Sequence, residues 1–280
     1  MHAILALGAS HLTRVSDTDC STAAIIHRGQ AIKGLNQAIA RGANGYGEAD
    51  AMLAAFYALT FQASYMGDGM ADFVTMVRGC ALVTAQIRSS QTSTVFNLDQ
   101  DLDLRMMAPQ VEEMPAVDIT ILPPAILSLE ALRPLLQNKV DYVMHASMLS
   151  VLVTLQEFPH VGYPVFMRVY TAFQEMSPEE FSMLLEVNNV VSQLLMAHFV
   201  ALQLIVMPMT MHASHTRANN AKAPLSLGIV EWGEDIFHRT PSNMQQYLDW
   251  PRSLLGAVRR EVEAIDRGDT DSLDLKILHL

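Results

Sequence analysis

The fold is decided by residues 48–88, EADAMLAAFYALTFQASYMGDGMADFVTMVRGCALVTAQIR. Two apolar segments of helical length flank the break Gly67-Asp68-Gly69, and Asp68 is the predicted N-cap of the second helix. Two long helices joined by so short a turn pack antiparallel. The stretch therefore predicts a helical hairpin.

The helical pattern continues on the N-terminal side of this hairpin. Ile25, Ile32, Leu35 and Ile39 recur at helical spacing, so the segment that carries them has one apolar face. A glycine-rich stretch at 42–47 then predicts the end of that helix.

A second helix start lies in the C-terminal half. Residues 177–180, Ser-Pro-Glu-Glu, place serine at the N-cap, proline at the first helical position and glutamate at the capping-box position. We expect them to begin a long apolar helix that Pro208 closes. Residues 187–216 carry no formal charge, and a run of this length can cross a bilayer. Interrupting polar residues favour instead a central helix that other helices bury.

The remaining segments are irregular. Residues 89–123 and the polar stretch 211–224 hold no helical period and are predicted loops. Only VDITIL at 117–122 alternates as a strand would. We therefore predict an all-α fold, a single helical domain of antiparallel helix hairpins around a buried central helix. That regulatory or effector-like domain spans 1–268, and an acidic-apolar tail follows at 269–280.

Composition limits the classes of function. The 280 residues are 50% hydrophobic, and 18 Lys and Arg stand against 29 Asp and Glu, a net charge of −11. Binding to DNA or to an anionic membrane surface needs a positive field, so we expect no direct DNA binding. We also expect no membrane span. The two cysteines are isolated, which disfavours a disulfide framework and a thiolate zinc site.

Signatures of cofactor and metal chemistry are missing from the sequence. It contains neither a phosphate-binding glycine loop nor a GxSxG elbow. His212 and His215 have helical spacing but lie in the polar stretch without further ligands nearby. The acidic run at 99–103 resembles the start of a calcium loop, but Leu104 and Gln110 stand where glycine and glutamate are required. We predict no metal and no cofactor.

Two histidines and two methionine-rich segments provide the candidate site residues. His145 and His198 lie in apolar helical segments, where each is a candidate general base or a satisfied core histidine. The 18 methionines either fill gaps in the core or line an adaptable cavity for a lipophilic ligand. We predict such a cavity between the 50–88 hairpin and the 180–207 helix, with Tyr65 and Gln203 as polar anchors. The candidate lining residues are Phe61, Tyr65, Met66, Met70, Phe73, Met196, Phe199 and Gln203.

Whole segments resemble a known family. HAILALGASHL, AIIHRGQAIKGLNQAIA, FQASYMGDGMADFVTMVRGC and WGEDIFHRTPSNMQQYLDWP are similar to the C-terminal regulatory region of fungal zinc-cluster transcription factors, in the branch of the yeast sterol uptake regulators. The most specific segment runs from Thr60 to Cys80. The resemblance implies an all-α effector domain that holds a sterol in an apolar cavity and self-associates. The zinc-cluster DNA-binding module is missing, so DNA binding is not implied.

Two main hypotheses follow. The first is a ligand-sensing regulatory domain of a transcription factor, acting in the nucleus or cytoplasm. It would bind a sterol-, terpenoid- or polyketide-like molecule and dimerise with itself or with related regulators. The alternative is a stand-alone enzyme of fungal secondary metabolism, a cofactor-independent cyclase or cycloaddition catalyst that uses the same cavity. A plain partner-binding module is the third option. The resemblance favours the first hypothesis over an enzyme.

Overall fold

The protein is all-α. A computed structural model describes residues 1–42, 47–90, 94–96, 115–159, 162–213 and 219–266. Eleven α-helices and three short 3₁₀ helices, without any strand, make up the regular structure of these residues. The predicted fold class is confirmed. The residues cluster into two compact units, Met1–Asp103 and Leu104–Leu280, and the predicted boundary at 268 lies outside the described residues.

The first unit is built from four helices. They are α1 (His2–Val15), α2 (Ser21–Arg41), α3 (Glu48–Ala63) and α4 (Met70–Ser89). Helix α1 packs on α2 and α3, and α3 packs on α4. The hairpin predicted over 48–88 is thus confirmed as α3 and α4. Its core is apolar and includes Leu35, Leu53, Phe56, Leu59 and Met76.

Glycines set two helix boundaries of this unit. Gly42 has a φ of 74°, a left-handed conformation that ends α2 where the glycine-rich stretch predicted. Asp68 is not the N-cap of α4, because Gly69 occupies that position and no side chain caps the helix. A Cβ at position 69 would lie 2.1 Å from the carbonyl oxygen of Ala63, so the close approach of the chain admits only glycine there.

The second unit is built around one buried helix. Its helices are α5 (Leu122–Glu130), α6 (Lys139–Glu157), α7 (Gly162–Glu175), α8 (Pro178–Leu185), α9 (Val190–Ala213), α10 (Asn219–Arg239) and α11 (Asp249–Asp266). Helix α9 contacts α6, α7, α8, α10 and α11, and every residue from 192 to 209 is buried. The predicted central helix is confirmed.

The long apolar helix expected to start after Ser177 is in fact two helices. Its start is confirmed, because Ser177 Oγ accepts a hydrogen bond from the Glu180 amide at 3.2 Å and the Glu180 carboxylate accepts one from the Ser177 amide at 2.9 Å. Helix α8 then ends before Glu186, whose backbone is extended. Asn189 Oδ1 accepts from the Ser192 amide at 3.3 Å. The asparagine offers the backbone a local cap, and α9 begins anew.

Pro208 does not close α9, which continues through it to Ala213. A proline inside a helix removes one backbone hydrogen bond and costs about 3 kcal/mol. Burial of the preceding turns on all sides offsets this cost, so packing outweighs the local preference. The polar loop predicted at 211–224 is correspondingly shorter, since α10 already begins at Asn219.

The segment 117–122 is not a strand. Asp118 Oδ1 accepts hydrogen bonds from the Thr120 amide at 2.9 Å and from the Thr120 hydroxyl at 2.7 Å. These bonds begin the 3₁₀ helix Ile119–Ile121, which leads directly into α5. A single aspartate cap thus overrides six residues of alternating polarity.

Among the described residues, two helices are long and apolar enough to cross a membrane by length and composition alone. They are α4, Met70–Ser89, and the first part of α9, Val190–Thr210. The α9 segment is 89% buried inside the protein, whereas α4 is 39% buried. Core helices of soluble proteins pass the same test, so the expectation of no membrane span stays a prediction.

Candidate functional site

A polar network, buried at Arg28 and Gln62, includes two residues of the segment from Thr60 to Cys80. Gln62 is 1% exposed; its Nε2 donates to Ser10 Oγ at 3.2 Å and its Oε1 accepts from Arg28 Nη1 at 3.0 Å. Arg28 Nη2 lies 2.5 Å from Asp72 Oδ2. The network therefore joins all four helices of the first unit through charged and amide groups.

Tyr65, one predicted ligand anchor, is bonded to α1. Its hydroxyl lies 3.1 Å from His11 Nδ1 with the two rings edge to face, and Arg14 Nε donates to its carbonyl oxygen at 3.0 Å. Burial raises the pKa of the Tyr65 phenol, so the group stays neutral. Tyr65 thus fixes the turn between α3 and α4 against α1.

The other candidates of the first unit differ in exposure. Met70 and Phe73 are buried at the start of α4, and Met66 in the turn is half-buried. Phe61 is 51% exposed, so most of its ring faces away from the interior of the protein.

The candidates of the second unit lie in a group of aromatic rings. Phe199 is fully buried, with its ring centroid 5.5 Å from that of Phe173 and 6.4 Å from that of Phe166. Gln203 Nε2 donates to the Tyr170 hydroxyl at 3.2 Å. Gln203 Oε1 is buried and has no hydrogen-bond partner in the described residues.

The eight predicted lining residues therefore divide between the two units. Phe61, Tyr65, Met66, Met70 and Phe73 belong to the first, whereas Met196, Phe199 and Gln203 belong to the second. Their meeting around one cavity stays a prediction.

Both candidate histidines contact one turn of α5. His198 Nδ1 lies 2.9 Å from the Leu194 carbonyl oxygen, which makes Nδ1 the donor and leaves Nε2 to accept from Ser128 Oγ at 2.8 Å. His145 Nε2 lies 3.0 Å from the Leu129 carbonyl oxygen and donates to it. Two candidates separated in sequence thus lie together in space.

Burial determines the chemistry of His198. It lowers the pKa of the imidazole to about 4, the Leu194 hydrogen bond partly opposes this shift, and the nearby His145 adds to it. Trp250 stacks on the ring at a centroid distance of 5.9 Å. His198 is therefore neutral at pH 7.

Ser128 and His198 have the contact of a nucleophile and its base. However, an efficient general base has a pKa near the working pH, and that of His198 is about 4. The group behind the imidazole is a backbone carbonyl rather than a carboxylate. The hydrogen bond between Ser128 and His198 therefore links α5 to α9. A catalytic role of His145 or His198 stays a prediction.

The part of the chain that the structure describes contains no group of three or more His, Cys, Asp or Glu side chains that could hold a metal ion. The side chains of His212 and His215 and the acidic run at 99–103 lie outside the described residues. The expectations for these residues are untested.

Sequence reasoning missed Arg28, although a signal for it exists. Ala24, Arg28, Ala31 and Leu35 follow one another at helical spacing and all are buried. A charged residue on an apolar helix face is stable only with partners. That position could have been identified as the centre of a buried network.

Comparison with known proteins supports the resemblance. Residues 1–108 match the family model of the fungal specific transcription factor domain. The match confirms the resemblance to fungal transcription factor domains over the first unit, which contains Thr60 and Cys80, whereas the resemblance at 232–251 and the sterol-regulator branch stay predictions. No curated protein and no solved structure matches the chain significantly. Residues 1–108, which are all-α where the structure describes them, are thus similar to the fungal specific transcription factor domain, and this similarity supports a role in transcription regulation.

Proposed function

We propose that the protein is the ligand-sensing regulatory part of a fungal transcription regulator. The observation that carries this proposal is the family match over residues 1–108. Its net charge of −11 opposes direct contact with DNA, so it would act through a DNA-bound partner. The proposed location is the nucleus or the cytoplasm, without a membrane span.

The proposed ligand is a lipophilic molecule with one hydroxyl group, such as a sterol-, terpenoid- or polyketide-like compound. Gln203 supports this choice, because its Oε1 is a buried acceptor without a partner in the described residues. An unpaired buried acceptor costs about 1–3 kcal/mol, which a ligand hydroxyl would recover. The neighbouring rings of Tyr170 and Phe199 would contact the apolar body.

The proposed partners are a second copy of the chain or a related regulator. Large apolar side chains on α1 and α2 are more than half exposed, and they support self-association. They are Ile4, Ile25, Ile26 and Ile39.

A reporter assay tests the proposal. The chain is fused to a heterologous DNA-binding domain in yeast, and reporter activity is followed while sterol supply is varied. We expect activity that depends on the lipid, and loss of this dependence in Gln203→Met. The exposed Gln156 on α6 provides the matched control Gln156→Met. A fusion without reporter activity in any lipid condition contradicts the proposal.

The enzyme alternative gains no support from the described residues. The best placed base, His198, has a pKa of about 4. Native mass spectrometry separates the two hypotheses, because a regulator retains its ligand unchanged whereas a cyclase releases an isomer of it.

A further inference from the structure

An open cleft of about 450 Å³ lies in the second unit, between α10, α11 and the 3₁₀ helix Ser242–Leu248. Its floor is apolar, since Phe237 and Leu255 are 8% and 1% exposed. Gly256 leaves space beside them, because an added Cβ there would meet only Arg260 Nη1 at 3.5 Å. The volume suits a small organic molecule.

One end of the cleft is closed by an ion pair between α10 and α11. Arg259 Nε donates to Glu234 Oε1 at 2.8 Å, and Arg259 Nη2 donates to Glu234 Oε2 at 2.6 Å. The two helices touch beside this pair, since a Cβ at Gly233 would lie 2.0 Å from Leu255 Cδ2. The carboxylate that lines the cleft is therefore already neutralised.

The other end of the cleft carries two exposed side chains, His238 and Arg252. Helices α10 and α11 are joined by a short connection and pack against each other, so they run antiparallel. His238 lies one turn beyond Glu234 on α10, and Arg252 lies two turns before Arg259 on α11, so both are displaced toward the same end. Both line the cleft, and neither has a hydrogen bond or ion pair within the described parts of the chain.

We propose that this cleft binds a small organic carboxylate with an apolar body. The guanidinium of Arg252 matches the two oxygens of a carboxylate, and His238 adds a second donor. Phe237 and Leu255 would hold the apolar body. Gln245, whose Nε2 donates to the Thr240 carbonyl oxygen at 3.3 Å, lines the same cleft.

The charge distribution argues for a monoanion. The chain carries a net charge of −11 and repels anions in general, whereas Arg252 supplies a local positive charge in the cleft. A phosphate dianion would need more positive charge than one guanidinium supplies. It also has no apolar part that could contact the apolar floor of the cleft. The cleft shares no residue with the lipophilic site proposed around Gln203, so the two proposals stand independently.

Isothermal titration calorimetry of the full chain tests the proposal. The probes are 4-phenylbutanoate, its neutral amide and inorganic phosphate. We expect the acid to bind at least about tenfold more tightly than the amide, and phosphate not to compete with it, because charge-assisted hydrogen bonds supply the difference. Arg252→Gln should weaken binding of the acid by a similar factor. Arg168→Gln removes the same charge from an exposed site on α7 and should leave binding unchanged.

A variant that fills the cleft provides an independent measurement. Gly256→Leu places an apolar side chain in the space beside Leu255 within a helix that tolerates it, so the fold is retained and binding is lost. Circular dichroism verifies the fold of this variant. Any one of four results would overturn the proposal. They are equal binding of the acid and the amide, an equal loss of binding in Arg168→Gln and Arg252→Gln, unchanged binding in Gly256→Leu, and no binding of the acid at millimolar concentration.

Discussion

Gly79 of α4 lies directly against the ring of Phe56 of α3. An added Cβ at position 79 would be 2.1 Å from Phe56 Cε1 and 2.7 Å from Cδ1 and Cζ, and Phe56 is buried. The glycine thus sets the distance between the two helices of the hairpin. Part of the segment that is most specific for the family is therefore a packing requirement rather than a binding feature.

The substitution Gly79→Ala is expected to destabilise the protein. Overpacking against the buried ring should lower the free energy of unfolding by about 1–3 kcal/mol, although alanine is the better helix former. Gly34→Ala on α2 is the matched control, because its Cβ meets no atom within 4 Å, and it should stabilise by about 0.5–1 kcal/mol. Urea denaturation measures both. Equal stability of the two variants would contradict the packing argument.

Stability should fall as the pH is lowered, because of His198. Burial holds the pKa of His198 at about 4 in the folded protein, below its ordinary value of 6.5. Between these values the unfolded chain binds a proton that the folded protein does not. The contribution is complete above pH 6.5 and is lost between pH 6.5 and about 4, for a total of about 3 kcal/mol.

Urea denaturation at pH 7, 6 and 5 measures this loss, and His198→Gln should have a shallower pH dependence than the wild type. The same dependence in both proteins would show that other groups cause it.

Arg28 and Gln62 should be energetically coupled. Arg28→Met leaves Gln62 Oε1 buried without its donor and should cost about 1–3 kcal/mol. The double variant Arg28→Met/Gln62→Leu replaces both partners by apolar groups and should cost less than the sum of the single changes. Thermal and urea unfolding of the four proteins gives the coupling energy. Additive effects would mean that the hydrogen bond contributes nothing.

Cys80 should react slowly with thiol reagents. Burial raises the pKa of its thiol to about 12, so almost no reactive thiolate exists at pH 8. Labelling of the native protein should therefore have two phases, with Cys80 responsible for the slow one. Cys80→Ser should remove the slow phase and Cys20→Ser the fast one. The opposite assignment would place Cys80 outside the core.

Local signals predicted the helix ends that depend on one or two residues. The glycine at 42 and the capping box at Ser177 act through backbone conformation and short-range hydrogen bonds, so sequence alone identifies them. The effect of Pro208 depends instead on packing around α9, which no local pattern reveals. Asp68 does not cap α4, because the close approach of Ala63 to Gly69 determines the conformation of the turn between the two helices.

The candidate site was less predictable for the same reason. His198 stood out as a histidine on an apolar helix, but its partner Ser128 lies 70 residues away and carries no recognisable pattern. The cleft around Arg252 depends on how α10 and α11 pack, and neither helix marks it in its own sequence. Contacts between segments that are distant in sequence thus limit how much of the site can be predicted from the sequence.

The burial of α9 has a consequence for the nascent chain. Residues 190–210 leave the ribosome before α10 and α11, which cover them in the finished protein, have been synthesised. During that interval the segment, which is long and apolar enough to enter a bilayer, lacks the contacts that α10 and α11 make with it. The helix therefore stays partly uncovered until residue 266 has emerged. A product terminated within α10 would leave it exposed to chaperones and proteases.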